Sequence, residues 1–225
     1  MKIEIASAAT ILPDRMVDFT QDEVRREPML FNCDAASAAR LGGPITRAFL
    51  SRLPEDFVGG PLVVDTRVHM LMPGWYPCIP GWHHDDVPRT RADGQPNYGP
   101  DQDRSEHVSC LVGIDVARTK FATGTAHFSE VPVGSVVYDA WHREVVSKIR
   151  AGVLRGWRAP MGALVRFDDR TWHRGAAATG NGWRWFGRAS RYFDGRGHRI
   201  DRRNPRTNEV RSQVQIYMAR ANAGW

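Results

Sequence analysis

The chain has 225 residues, 42% of them hydrophobic, and a formal net charge of +6, which is enough length for one well-buried core and too little for two independent domains. No stretch approaches the roughly 18 apolar residues of a membrane span, and Glu4 and Asp14 interrupt the first twenty residues, so neither a membrane anchor nor a signal peptide is expected and the protein is predicted to be soluble and cytoplasmic. Cys33, Cys78 and Cys110 are odd in number and widely spaced, which argues against a disulfide framework or a zinc ribbon and for buried thiols.

In chain order, Lys2-Ile3-Glu4-Ile5 alternates as a short strand does. Asp34 to Leu41 is Ala-rich and stops at Gly42-Gly43, as a helix ended by glycine would. Pro44 suits a first helical position, and Ile45, Phe49, Leu50 and Leu53 form the apolar stripe that follows it. These helices are expected to back a sheet. Pro61 to Met72 is rich in β-branched residues and reads as a strand, after which Pro73, Pro77, Pro80 and Pro88 make the chain irregular but stiff. Arg89 to Glu106 is polar and Gly/Pro-punctuated, a long loop of the kind that serves as a lid or binding loop. His107 to Asp115, Gly124 to Phe128 and Ser135 to Tyr138 read as further strands, and Asp139 to Gly152 as a helix with Trp141, Val145, Val146 and Ile149 on one side. Gly162 to Phe167 is a strand, Gly180-Asn181-Gly182 a turn, Trp183 to Phe193 a long strand, and the segment SQVQIYMA near the end an edge strand. Many short strands with few helices predict a mainly β, jelly-roll-type barrel in a single domain: helical support over 1–60, the barrel over 61–193 and an extension over 194–225.

Chemistry concentrates in Trp82-His83-His84-Asp85-Asp86. Imidazole beside carboxylate suits iron, manganese or zinc better than calcium. Side chains two apart on an extended segment share a side, so His83 with Asp85, or His84 with Asp86, can face one ion. His173, in a turn-like acidic run after a strand, is the candidate third ligand. Two His and one carboxylate on one face of an ion leave its other positions open, the facial triad of non-haem Fe(II) oxygenases. Asp168 or Asp169 could orient the ring of His173, because a ligating His donates its second N–H to a carboxylate or carbonyl.

From about Val63 to Tyr192 the chain resembles the Fe(II)- and 2-oxoglutarate-dependent dioxygenases, in particular their phytanoyl-CoA-hydroxylase-like branch: His-x-Asp, a long gap, a distal His, then an Arg ten to fifteen residues on. That resemblance implies a double-stranded β-helix with helices packed on one side. It implies Fe(II) held by His83, Asp85 and His173, and 2-oxoglutarate split to succinate while O2 hydroxylates or otherwise oxidises a substrate. It leaves two candidates for the arginine that holds the distal carboxylate. Arg184 lies eleven positions after His173; Arg188 lies fifteen after it and opens an Arg-x-Ser pattern with Ser190, which favours Arg188. Both share strand parity with Ser190. The substrate is expected to be a small organic molecule carrying an anionic group, and no membrane partner is expected. Nucleic acid or a modified base is the alternative substrate, on the strength of Arg196, Arg199, Arg202, Arg203 and Arg206. A non-catalytic cupin-like metal- or sugar-binding barrel and a zinc hydrolase are the alternatives without oxygenase chemistry.

Overall fold

Segments whose apolar residues alternate can bury one face only as pleated strands, and such segments dominate this chain. The computed structural model describes residues 2–130, 134–202 and 209–211. Its elements in chain order are β1 (Lys2–Ser7), β2 (Ala9–Arg15), α1 (Gln21–Arg26), β3 (Met29–Phe31), α2 (Ala35–Leu41), α3 (Pro44–Leu50), α4 (Glu55–Val58), β4 (Val63–Leu71), β5 (Arg104–Gly113), β6 (Lys120–Ser129), α5 (Val137–Arg150), β7 (Arg155–Arg158), β8 (Ala163–Asp168), β9 (Trp172–Arg174), β10 (Gly182–Phe193), β11 (Arg199–Ile200) and β12 (Glu209–Arg211).

Two antiparallel sheets carry the fold. In the larger, β10 pairs with both β4 and β5, and β8 and then β2 continue outward from β5. In the smaller, β6 pairs with β1 over Gly124–Ser129 and with β7 and β9 over Lys120–Thr123. β12 pairs with β3 in a small ribbon of its own.

Alternation along β10 separates two environments. Trp185 and Ala189 face a core that also holds Val24, Ile45, Phe49 and Phe57 from the helices, with Trp185 edge-on to Phe49 at 5.6 Å. Arg184, Phe186 and Arg188 point the other way, into a cavity. A second core lies under α5, where Val137, Trp141 and Val145, four apart, pack on Ile5, Phe128 and Trp172. That same stripe explains a difference from the sequence reading. Ser135 to Tyr138 is not a strand; Val137 opens the helix, because it lies one turn before Trp141 on the buried face.

Asp34 caps α2, its carboxylate accepting from the Ser37 N–H at 2.7 Å. Gly42 ends that helix with a φ of −74°, so its value is not a left-handed turn but room: a Cβ there would meet the Ala38 carbonyl and Thr46 at 2.6 Å. The strands β2, β3, β7 and β9 and the helices α1 and α4 were not among the expected elements. The segment SQVQIYMA lies outside the described residues.

Buried Glu27 ties α3 to the chain before it. Its carboxylate accepts from the N–H groups of Gly43, Ile45 and Thr46 at 3.0, 3.2 and 2.8 Å and from the Thr46 hydroxyl at 2.6 Å. Glu27→Ala strands these donors away from water, and the expected loss is about 3 kcal/mol of folding stability, measured by urea denaturation.

Candidate metal centre

The prolines before the His-rich run keep it out of regular structure, and the run is then fastened at three points. His83 forms an antiparallel bridge with His173 of β9, its N–H 3.1 Å from the His173 carbonyl and the reciprocal bond at 3.2 Å. The Trp82 N–H donates to Nδ1 of His142 on α5 at 3.0 Å. Trp82 itself packs in the core beneath that helix.

Residues opposed in a bridge present their side chains to the same side, which brings the rings of His83 and His173 to a centroid separation of 4.5 Å. Each ring is oriented the same way. Nδ1 of His83 lies 2.8 Å from the Gly81 carbonyl and Nδ1 of His173 lies 2.9 Å from the Thr171 carbonyl. A carbonyl only accepts, so both Nδ1 atoms donate and both Nε2 lone pairs are left for an ion. Asp85 completes the group: one carboxylate oxygen is 3.7 Å from Nε2 of His83 and the other 3.2 Å from Nε2 of His173. Ligand atoms of His83, Asp85 and His173 all lie within 4.8 Å of one another, close enough to hold one metal ion.

The electrostatics favour the ligating protonation states of two members. Burial, then the neighbouring His173, pushes the His83 imidazole down to about 4, so it is neutral near pH 7. Burial acts to raise the Asp85 carboxyl, but His173, Arg188 and His83 outweigh it and hold Asp85 well below the usual carboxylate range. Burial acts to lower His173, yet Asp85 and the Thr171 carbonyl raise it; a divalent ion would displace that proton. The carboxylates expected behind His173 serve elsewhere. Asp169 accepts from Arg104 at 2.8 Å, and Asp168 caps the turn through the Arg170 N–H at 3.0 Å, while the backbone of Thr171 orients the ring.

His84 and Asp86 point to the opposite side of the extended run. The His84 ring lies on Trp172 at 3.7 Å, and its Nδ1 meets the Tyr98 hydroxyl at 2.7 Å. Tyr98 belongs to the long loop, whose inner side therefore packs against the ligand run. Asp86 has a φ of +58° and accepts from the Tyr192 hydroxyl at 3.0 Å. His84→Ala should destabilise the fold through lost packing yet leave one metal bound per chain, as read by elemental analysis of the purified variant.

The triad borders a cavity of about 260 Å³ whose wall includes Phe121, Phe167, Phe186, Pro77 and Ile79, with Thr119, Cys78, His69 and Arg184 among its polar members. His69 faces Arg184 across the β4–β10 pairing and is buried. Strand parity, with Arg184 as the reference, is the sequence signal that would have found it. Arg184 is 2% exposed and donates to the Ala117 carbonyl. No carboxylate neutralises it among the described residues: burial lowers it to about 10, and only the Cys78 thiol acts the other way. Arg188 is differently placed. Its guanidinium is 2.7 Å from Asp85, 3.4 Å from Asp65 and 3.8 Å from Asp86. Ser190 does not join it as an anion fork, because its buried Oγ is bonded to Nδ1 of His107 at 2.9 Å.

No family model matches the sequence, and no curated protein matches it. Among solved structures, a nickel complex of the non-heme monooxygenase ThoJ is similar at a TM-score of 0.33, with 12% identity over 84% of this chain and 89% of the other. EvdMO1 is similar at a TM-score of 0.33 with 13% identity, over 88% of this chain and 55% of its own length. Likenesses of this size carry no functional argument, and the chemistry is read from the centre itself. No helix among the described residues is long and apolar enough to cross a membrane.

Proposed function

We propose that this protein is a non-haem Fe(II) oxygenase that uses 2-oxoglutarate to oxidise a small organic substrate. The observation that carries the reading is the pairing, in one cavity, of a two-imidazole, one-carboxylate metal group with a buried arginine that has no carboxylate of its own among the described residues. A buried guanidinium without a counter-anion is costly unless a ligand supplies one. Arg184 is therefore the residue assigned to the distal carboxylate of the co-substrate, and the Thr119 hydroxyl on the same wall can add a hydrogen bond. Arg188 already spends its charge on three aspartates.

The donor set fits Fe(II), since neutral Nε2 atoms and one carboxylate on one side leave positions for a chelating ligand and for O2. When bound, the iron supplies the O2 activation that no side chain can. This chain's residues do the rest: the two backbone carbonyls aim the imidazoles, Arg184 orients the co-substrate, and Phe121, Phe167 and Phe186 keep the cavity dry. The order of strands also supports the double-stranded β-helix, with β4, β10, β5 and β8 in one layer and the ligand run, β9, β6 and β7 in the other.

Beside the ligand run a second, open cavity of about 410 Å³ is lined by Arg89, Arg202, Asp86, Tyr138 and Tyr192; with Arg202 beside Asp103, the support for a substrate bearing an anionic group comes from Arg89. A nucleic-acid substrate has less support. Arg199 is held by the carbonyls of Phe57, Gly59 and Pro61, and Arg202 lies 3.8 Å from Asp103, while Arg203 and Arg206 of the same run lie outside the described residues. A zinc hydrolase or a passive binding barrel would leave Arg184 without a counter-charge. The test is Fe(II)-dependent conversion of 2-oxoglutarate to succinate in air, followed by NMR. Slow uncoupled release supports the reading, and none from fully metallated protein contradicts it.

A further inference from the structure

We propose that His69 is a second anchor for the carboxylate that Arg184 receives, and that the two side chains together make the cavity select 2-oxo acids with a second carboxylate. This rests on the co-substrate reading above. His69 of β4 and Arg184 of β10 are directly opposed in the register of the two strands, so their side chains leave the sheet on the same side as close neighbours. Both line the cavity that the metal group borders, and each is 2% exposed. His69 is not a member of the metal group itself.

Each of the two brings an unmet polar group to this wall. Nδ1 of His69 and Nε of Arg184 are buried and have no hydrogen-bond partner among the described residues. Arg184 gives Nη1 to the Ala117 carbonyl, a neutral acceptor that leaves its charge unbalanced. Burial, then Arg184 and Arg67, push the His69 ring well below the usual imidazole range, so it is neutral near pH 7; the Pro77 carbonyl acts the other way without bonding Nδ1. A neutral ring sits beside a guanidinium without repelling it, and with its one proton on Nδ1 it is a donor. Buried donors without partners are rare in folded proteins, and two on opposed residues of one cavity wall point to a ligand that accepts from both. A carboxylate does so, because it has two oxygens and no proton of its own to place.

The experiment titrates Ni(II)-loaded protein by calorimetry with 2-oxoglutarate and with 2-oxopentanoate, a 2-oxo acid of the same chain length that lacks the second carboxylate. Wild type, His69→Leu and His69→Asn are compared. His69→Leu should weaken 2-oxoglutarate on the order of tenfold, as the loss of one hydrogen bond to a charged group does, and leave 2-oxopentanoate within about twofold. His69→Asn, which keeps an N–H donor near the place of Nδ1, should recover most of the loss. A residue that only packs would weaken both ligands alike, so equal losses, or an unchanged affinity for 2-oxoglutarate in His69→Leu, overturn the proposal. A measurement on Zn(II)-loaded wild type needs no variant to fold: the ¹⁵N signal of the His69 ring should move on adding 2-oxoglutarate and stay in place with 2-oxopentanoate, and the reverse or no movement overturns it as well. Wild type that binds no 2-oxoglutarate at all defeats the co-substrate reading together with this proposal, whereas binding that is indifferent to His69 defeats the proposal alone.

Discussion

Replacing His173 by alanine is expected to abolish metal retention and reduce 2-oxoglutarate turnover to background, with His83→Ala and Asp85→Ala behaving alike. Three ligands are the minimum that holds an ion while leaving positions for chemistry, and each contributes an atom that the cavity cannot replace. Of the other imidazoles around the centre, His84 is stacked on Trp172, His107 is bonded to Ser105 and Ser190, and His69 of the cavity wall pairs with Arg184 across β4 and β10. The loss should be local. The His173 ring bonds to the Thr171 carbonyl of its own strand entry and to Asp85 of the same centre, and the bridge to His83 uses backbone atoms that alanine keeps. Far-UV circular dichroism of His173→Ala should therefore match wild type while elemental analysis finds less than a tenth of the metal. A variant that kept the metal and lost only folding stability would remove His173 from the centre.

Arg184→Met should leave metal content unchanged and weaken 2-oxoglutarate binding on the order of 30-fold or more. Truncating one partner of a buried, hydrogen-bonded charge pair costs about 2–5 kcal/mol, and 1.4 kcal/mol is tenfold in affinity. Methionine fills much of the same volume, so the effect reads charge more than packing. The free protein gives an independent sign. Arg184 is fully buried with no carboxylate to balance it among the described residues, so its removal should leave the melting temperature of the unliganded protein unchanged or raised, opposite to the usual result of deleting a buried side chain. Isothermal titration of metal-loaded Arg184→Met with 2-oxoglutarate measures the first effect, and thermal denaturation without ligand measures the second.

The centre was legible because its signal is local. His-x-Asp on an extended segment places two donors on one side whatever surrounds it, and the odd-numbered members, His83 and Asp85, are those the structure brings to His173. The long strands were legible for the same reason, β4 and β10 being dense in β-branched and aromatic residues. What escaped depends on partners distant in sequence. β9 is three residues long and is a strand only because β6 and the ligand run pair with it. β7, with Arg155 and Arg158 at its ends and a glycine inside, has no apolar alternation to announce it. Arg184 and Arg188 sit at equivalent phases of one strand, so phase could not rank them, and the preference for Arg188 rested on its neighbour Ser190. Their difference comes from what opposes them: His69 and a glycine for Arg184, Asp65 and Ser109 for Arg188. The Arg-x-Ser pattern pointed to Ser190, but a buried imidazole on β5 claims that hydroxyl.

Anaerobic titration of the Fe(II)-loaded protein with 2-oxoglutarate tests the central claim most directly, because it needs neither the substrate nor turnover. A 2-oxo acid chelated to Fe(II) through its keto and carboxylate oxygens gives a weak visible charge-transfer absorption. The account predicts that this band appears, saturates at one equivalent per chain, and is shifted to much higher ligand concentration in Arg184→Met. Fully metallated protein that shows no band, and no binding of 2-oxoglutarate by calorimetry, would contradict it.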